Sequence, residues 1–178
     1  MSEVIRGRWA GVYFNADFIC VETWSGYRGM ERRDYKGKKN YLTPSASDDE
    51  LGLSVLDALA SSRWLLGSPR EGFVPPPGLE FDMEQYDYKL TAERSAQWIK
   101  SLMDVYGYKT KRALFKDLQN CGVESKNGVI KITPMRRSGA EGWEGLGKGA
   151  EGVVEIPADS TPAEIGAALR LAFTRCTE

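Results

Sequence analysis

The sequence predicts a single α+β domain in which helices pack against a largely antiparallel sheet. A chain of 178 residues has the length of one ordinary domain, and its 42% hydrophobic and 28% charged residues are the balance of a globular protein. Its strand-like runs come in hairpin pairs, and stretches with helical periodicity separate them. These observations together place the chain in the α+β class.

The N-terminal third predicts a hairpin, a basic loop and a helix. Strand-like runs over residues 9–24 flank the turn-favouring residues Asn15-Ala16-Asp17. The polar stretch 26–40 predicts a long loop that leads into a short strand at residues 41–42. A helix is expected over residues 47–63.

The middle of the chain predicts a connector and two helices. Residues 68–80 include four prolines, which are too many for a regular element, and they predict an irregular surface connector. Apolar residues recur at helical spacing over residues 91–106, and Gly107 supplies the stop. A second, shorter helix is expected over residues 110–120 and is ended by Cys121-Gly122. Its apolar face consists of Leu114, Phe115 and Leu118.

The C-terminal third predicts a second hairpin, a loop, a strand and a helix. Asn127-Gly128 lies between two strand-like runs and tolerates the positive φ of a tight hairpin turn. Residues 138–152 are glycine-rich and predict a loop. A strand over residues 153–156 and a terminal helix over residues 161–176 complete the chain.

Part of this C-terminal region repeats an earlier one. Residues 42–59 and 156–173 both leave a strand, cross a short loop and enter a helix through a capping box, in which a hydroxyl and a glutamate satisfy free backbone amides. The boxes are Ser47 with Glu50 and Thr161 with Glu164. Gly52 and Gly166 follow in each helix, where glycine costs about 1 kcal/mol relative to alanine. We expect these glycines to let both helix backbones approach the sheet closely.

Composition excludes several kinds of site. The chain has no histidine, which rules out a Ser-His-Asp triad, a Cys-His dyad and an imidazole ligand to a metal. Its three cysteines are widely spread and predict buried free thiols in a reducing compartment. The sequence shows neither a signal-peptide pattern nor an apolar run of membrane-spanning length, so we expect a cytoplasmic protein. Because the formal net charge is -1, a nucleic-acid or membrane partner would need a local patch.

Two glycine patterns and one carboxylate cluster have structural explanations. Residues 142–148 imitate the start of a phosphate-binding loop, but Gly149 stands where a magnesium-binding hydroxyl belongs. Residues 147–152 match GxGxxG and lead into a strand instead of a helix, so we predict a flexible loop and no nucleotide site. The carboxylates at residues 48–50 lie at a helix start, where the macrodipole favours negative charge.

Two oppositely charged segments are the candidate binding surfaces. Residues 28–39 hold six cations and two carboxylates, with Tyr27 and Tyr35 interleaved, so they either grip phosphates and stack bases or form a solvated loop. Residues 79–88 alternate acidic and apolar side chains with the period of a strand, which predicts one acidic face. That face either complements a cationic protein cleft or serves solubility alone. Its candidate contact residues are Glu80, Asp82, Glu84, Tyr86, Asp87 and Tyr88.

Three segments of the sequence carry a family resemblance, namely residues 98–121 (WIKSLMDVYGYKTKRALFKDLQNC), Ile130-Lys131-Ile132-Thr133-Pro134 and residues 154–176, which include DSTPAEIGAALR. These segments resemble the CdiI family, the immunity proteins of bacterial contact-dependent growth inhibition. The Leu51-Gly52 helix fits the same pattern, so the likeness covers most of the chain from Trp9 onward. These motifs are structural, and no catalytic residue is transferred by them.

The resemblance implies one immunity domain over residues 1–178 that binds and blocks the C-terminal toxin domain of a cognate CdiA exoprotein. Because such toxins are often nucleases, we expect occlusion of a nuclease active site by a non-enzyme that needs no cofactor or metal. Neither a nucleic acid nor a membrane is an expected partner. The acidic segment 79–88 is then the favoured contact, since a nuclease cleft is cationic. Two alternatives stay open, a nucleic-acid-binding module that uses residues 28–39 and a carboxylate-dependent hydrolase.

Overall fold

The computed structural model describes residues 4–145 and 151–176, and these residues form ten strands, four α-helices and one 3-10 helix. The strands are β1 Arg8–Phe14, β2 Ile19–Ser25, β3 Arg32–Arg33, β4 Lys39–Leu42, β5 Leu65–Leu66, β6 Glu80–Phe81, β7 Gln119–Lys126, β8 Val129–Ser138, β9 Gly142–Gly145 and β10 Val154–Pro157. The helices are α1 Asp48–Ala60, the 3-10 helix Glu84–Tyr86, α2 Tyr88–Tyr106, α3 Lys111–Phe115 and α4 Pro162–Phe173.

Eight strands form one antiparallel sheet in the order β10-β8-β7-β1-β2-β3, with β4 also on β2 and β9 also on β8. The other two strands, β5 and β6, pair in parallel. Both predicted hairpins are confirmed, since β1 pairs with β2 and β7 pairs with β8. The second hairpin turns at Asn127 and Gly128, whose φ angles are 52° and 76°. The predicted α+β class is therefore confirmed.

The large sheet and the two helices that follow its strands form two equivalent ββββα units. One unit is β1–β4 with α1, and the other is β7–β10 with α4. In each unit the second strand pairs with the first along one side and with the third and fourth along the other. The registers correspond as well, since Val12 opposite Val21 matches Val123 opposite Ile132. The sequence repeat found above is thus the second half of a larger structural repeat.

The two units meet at β1 and β7, in the middle of the sheet. There Gly11 lies directly opposite its counterpart Gly122. A Cβ atom on Gly11 would overlap the Trp24 ring, and one on Gly122 would come close to the end of Met135, which is the position equivalent to Trp24. Because equivalent residues face each other across an antiparallel pair, an approximate two-fold axis passes between these glycines.

Helices α1 and α4 cover one side of the sheet, which we call the helical face. Both predicted capping boxes are present. The expectation that Gly52 and Gly166 approach the sheet was wrong, because the glycines bring the two helices against each other. A Cβ atom on Gly52 would overlap the backbone carbonyl of Pro162, and one on Gly166 would overlap that of Asp48. The contact is reciprocal, as the two-fold relation requires.

The core of the helical face is aliphatic and is shared by both units. Strand residues such as Val12 and Val123 pack under Leu51 of α1 and Ile165 of α4, and all four are buried. At the edge of this core, the ring of Phe14 stacks on a phenylalanine of α4 at a centroid distance of 3.6 Å.

The opposite side of the sheet, which we call the cavity face, is covered by the segment between the two units. Helices α2 and α3 pack on one end of it, around Phe18, Trp98 and Leu114. The irregular segment after α1 packs on the other end, around Trp9 and Trp64. The region between these two clusters is where the cavity described below opens.

Outside the acidic segment 79–88, two predicted elements differ from the structure. The helix expected over residues 110–120 ends at Phe115, and strand β7 begins at Gln119, so Cys121 lies within a strand. Residues 119–121 pair with β1, and from Cys121 onward β7 also pairs with β8, so strand pairing outweighs the helical pattern of the preceding apolar residues. The loop expected over residues 138–152 contains β9, which pairs with β8. Residues 146–150, where most of the GxGxxG match falls, lie outside the described residues.

Candidate functional site

A cavity of about 660 Å³ opens on the cavity face between α2 and the chain that runs from β3 to β4. Aromatic side chains from β1, β2 and α2 line it, namely Tyr13, Trp24 and Trp98. Cationic side chains join them from both sides. They are Arg32, Arg33, Lys38, Lys39 and Arg94. The cavity therefore combines flat aromatic surface with positive charge.

A buried carboxylate beneath this surface positions two of the cations. The side chain of Glu22 is 1% exposed and accepts a hydrogen bond from Arg33 Nε at 2.8 Å. Lys39 Nζ lies 4.0 Å from its second oxygen, which accepts no hydrogen bond. The Arg33 guanidinium lies over the Trp98 ring, 4.0 Å from its centroid. Glu22 and Trp98 thus hold Arg33 in one place.

The two cations respond differently to their surroundings. Burial is the largest single influence on Arg33 and opposes its charge, yet the Glu22 carboxylate and Tyr13 together outweigh it and keep the pKa of the guanidinium above its ordinary value. Burial is the stronger influence on Lys39 and lowers the pKa of its ammonium group despite the nearby carboxylate. Arg33 therefore stays firmly charged despite its burial, whereas Lys39 holds its charge less strongly.

The acidic segment 79–88 does not form the predicted strand, and that prediction was wrong. Only Glu80 and Phe81 extend, as β6 beside β5, before the chain enters the 3-10 helix and then α2. The expected acidic face is absent because the Asp82 side chain is only 8% exposed, whereas Met83 is 73% exposed. Asp87 caps α2 by accepting a hydrogen bond from the Leu90 amide.

Arg63, from the segment after α1, explains why Asp82 turns inward. Arg63 Nη1 lies 3.0 Å from an Asp82 oxygen, and its Nη2 lies 2.7 Å from Asp34. Tyr35 also donates its hydroxyl to Asp82 at 2.9 Å. Burial is the largest single influence on both carboxyl groups and would raise their pKa. The hydrogen bonds and charge of Arg63, together with the other hydrogen bonds that each carboxylate accepts, outweigh it and lower the pKa of Asp34 and Asp82.

The acidic segment is consequently packed against the basic segment 28–39. Lys36 lies 3.6 Å from Asp82, and the Arg32 guanidinium lies 4.7 Å from the ring centroid of Tyr86. The buried amide of Gln85 donates to the Arg33 carbonyl. Three of the six cations of the basic segment take part in ion pairs with Glu22 or Asp82. This arrangement does not resemble a row of free cations.

The structure separates the six predicted contact residues into two groups. Asp82 is buried, and Tyr86 is half-buried with its hydroxyl donated to the Met30 carbonyl. The other four are exposed beside exposed apolar side chains. We call this exposed set the acidic rim; it consists of Glu80, Phe81, Met83, Glu84, Asp87 and Tyr88.

The acidic rim adjoins the cavity through Arg94 of α2. The Arg94 guanidinium lies 3.8 Å from the centroid of the Tyr35 ring, and it donates to the Glu84 carboxylate at 3.3 Å. Sequence reasoning missed Arg94, Trp98 and Glu22 as members of the site. Only Glu22 gave a signal, as a lone carboxylate within an apolar strand.

Metal binding and membrane insertion find no support in the part of the chain that is described. Within residues 4–145 and 151–176, no group of three or more Cys, Asp and Glu side chains could hold a metal ion. Over the same residues, none of the helices combines the length and the apolar character needed to cross a bilayer.

A preformed aromatic and cationic cavity beside an exposed acidic and apolar rim defines the class of a recognition protein. The comparisons agree with this class. The CdiI family, described as CDI immunity protein, matches residues 8–176. Immunity protein CdiI-YPIII of Yersinia pseudotuberculosis serotype O:3 (strain YPIII) is 45% identical over 177 residues, which cover 99% of each chain. The chain therefore belongs to the CDI immunity protein family, and the resemblance seen in the sequence is confirmed.

Two solved structures are similar to the protein over nearly its whole length. One is a CdiA-CT/CdiI toxin and immunity complex from Yersinia pseudotuberculosis, with a TM-score of 0.92, 44% identity and coverage of 98% of this chain and 99% of that chain. The other is a protein of unknown function from Neisseria meningitidis, with a TM-score of 0.83, 32% identity and coverage of 96% of both chains.

Proposed function

We propose that the protein binds the C-terminal toxin domain of a cognate CdiA exoprotein and neutralises it in the cytoplasm. It acts as one domain over residues 1–178, by occluding the toxin's active site and without catalysis of its own. The main support is the full-length likeness to an immunity protein whose structure was solved as a complex with its toxin. At this level of identity the fold and the broad role are expected to be shared.

The acidic rim is the proposed contact surface. Tyr88 is 91% exposed, Met83 73% and Phe81 38%, and several exposed large side chains within one short segment are typical of an interaction surface. Aromatic and Met side chains are enriched at protein interfaces, and carboxylates around them would orient a partner of opposite charge. A nuclease cleft is cationic because it binds phosphates, so we propose that the toxin is a nuclease.

The cavity extends this surface and adds the opposite charge. Arg33, held by Glu22 over Trp98, would form an ion pair with an acidic side chain of the same toxin. A standard interface buries about 1,600 Å² in total, which requires more than the rim alone. Positive and negative patches side by side also fix the orientation of the partner and reject non-cognate toxins.

The test is binding of the purified cognate toxin domain to a variant with the rim reversed, Glu80→Lys with Glu84→Lys. We expect at least tenfold weaker binding and a melting temperature close to that of the wild type. Asp82 is left unchanged because its reversal would break the ion pair with Arg63. Glu141→Lys with Glu151→Lys is the matched control, since it changes the same charge at two exposed positions elsewhere.

Each outcome has a definite meaning. Unaltered binding by the rim variant would remove the rim from the interface, and equal weakening by the control would show a general charge effect. Failure of the wild type to bind or inhibit the toxin would overturn the proposed function itself. Retention on heparin with a steep salt dependence would instead favour the nucleic-acid-binding alternative for residues 28–39.

A further inference from the structure

Two of the three thiols lie side by side on the helical face. Cys121 is in β7 and is fully buried, and Cys176 follows α4 and is half-buried. Their sulfur atoms are 3.5 Å apart, although 55 positions separate them in the chain. The third thiol, Cys20, belongs to the core of the cavity face, on the other side of the sheet.

The first ββββα unit shows what this location requires structurally. The positions equivalent to Cys121 and Cys176 are Ala10 and Ser62, since Val12 corresponds to Val123 and Leu59 to Phe173. The Ser62 hydroxyl accepts from the Trp9 amide at 3.0 Å and donates to the Trp24 carbonyl at 2.6 Å. It therefore ties the end of α1 to two strands.

In the second unit a thiol occupies that place. Cys176 Sγ lies 3.5 Å from the carbonyl of Asn120, the counterpart of Trp9. A hydroxyl beside an alanine is sufficient in the first unit, so the architecture requires neither of the two sulfur atoms. A pair of adjacent thiols at this one location calls for another explanation.

We propose that Cys121 and Cys176 form a reversible disulfide by exchange with a low-molecular-weight disulfide such as oxidised glutathione. Cys176, the accessible member, attacks one glutathione sulfur as a thiolate, and the other glutathione leaves as a thiolate. Cys121 then attacks the Cys176 sulfur, which releases the second glutathione. The two departing glutathione thiolates take up the protons that Cys121 and Cys176 lose. Two protein thiols and one glutathione disulfide thus become one protein disulfide and two glutathione thiols.

The geometry suits this exchange. The sulfur atoms must close by about 1.5 Å to reach bonding distance, a movement available to a residue just beyond the end of α4. Cys176 is the better nucleophile because a hydrogen bond from Cys121 outweighs burial and lowers the pKa of its thiol. The disulfide would join the end of the last helix to a central strand.

The experiment uses the full-length protein and oxidised glutathione, with the intact mass and free thiols as readouts. We expect a mass loss of about 2 Da, a fall from three free thiols to one, and a peptide that links Cys121 to Cys176. The melting temperature should rise by at least about 5 °C and return after reduction with dithiothreitol.

The first unit supplies the matched variant. Cys121→Ala with Cys176→Ser copies Ala10 and Ser62, so it should fold and show no mass loss or thermal shift. Cys20→Ser should behave as the wild type does. The proposal is overturned if wild-type protein keeps three free thiols, stops at a stable glutathione adduct or forms a disulfide that includes Cys20.

Discussion

Asp82 joins the acidic rim to the body of the protein through its ion pair with Arg63. Without the Asp82 charge, the Arg63 guanidinium keeps only Asp34 as an ion-pair partner. Water cannot replace the lost interaction, because the Asp82 side chain is 8% exposed. We expect Asp82→Asn to lower the free energy of unfolding by about 2 kcal/mol, measured by urea denaturation. Glu84→Gln, at an exposed ion pair, should change it by less than about 0.5 kcal/mol. Equal effects of the two variants would contradict a structural role for Asp82.

The same two carboxylates predict how stability depends on pH. Because the pKa values of Asp34 and Asp82 are lowered in the folded state, the unfolded chain binds more protons below about pH 4. Their contribution is therefore fully present above that pH and is lost as the pH falls towards the folded-state values. We expect urea midpoints to fall from pH 4 to pH 2, and to fall less steeply in Asp34→Asn. Identical slopes in the two proteins would exclude this ion-pair network as the cause.

At the scale of residues, the sequence predicted the acidic rim only in part. Glu80, Glu84 and Tyr88 are exposed, as a contact surface requires. Asp82 could not be distinguished from them, because its partner Arg63 lies 19 positions away and meets it only through the tertiary fold. The cavity was missed for the same reason, since its lining comes from β1, β2, α2 and the chain between β3 and β4.

The two helical glycines determine how α1 and α4 pack. Alanine would favour an isolated helix by about 1 kcal/mol, but its methyl group at either position would overlap a backbone carbonyl of the other helix. Since neither backbone can move alone, we expect Gly52→Ala and Gly166→Ala each to lower the free energy of unfolding by about 2 kcal/mol or more. Urea denaturation followed by circular dichroism would measure this.

A control separates overlap from helix propensity. Ala167 is exposed and adjoins Gly166 in α4, so Ala167→Gly should cost only the propensity difference of about 1 kcal/mol. Stabilisation by either glycine-to-alanine change would show that the helices are free to separate.

At the scale of elements, the sequence predicts correctly the features that depend only on residues close together in the chain. Both capping boxes and the Asn127-Gly128 turn were predicted because each depends on residues within one or two turns. The start of β7 at Gln119 was not, because Gln119 pairs with Phe14 of β1, which is distant in the sequence. Only the second half of the structural repeat could be recognised in the sequence. The hairpins of the two units share the same strand register but have few identical residues.

At the scale of the molecule, the two faces of the sheet differ in their cores and in their proposed roles. The helical face contains the aliphatic core that both units share and the adjacent thiols. The cavity face contains the aromatic clusters and the surface proposed for toxin binding. Because side chains alternate along β1, Val12 points into one core and Tyr13 into the other. Neither core can therefore unfold without disturbing the strands that also form the other core.

This sharing of strands predicts one cooperative unfolding transition, and the tryptophans make it testable. All five lie in the clusters of the cavity face, so their fluorescence reports on that face alone. Amide protection in α1 and α4, measured by mass spectrometry after deuterium pulses, reports on the helical face. We expect both signals to change at the same urea concentration, and Gly166→Ala to lower both midpoints together although it alters only the helical face. Loss of fluorescence while α1 and α4 stay protected would mean that the two cores unfold separately.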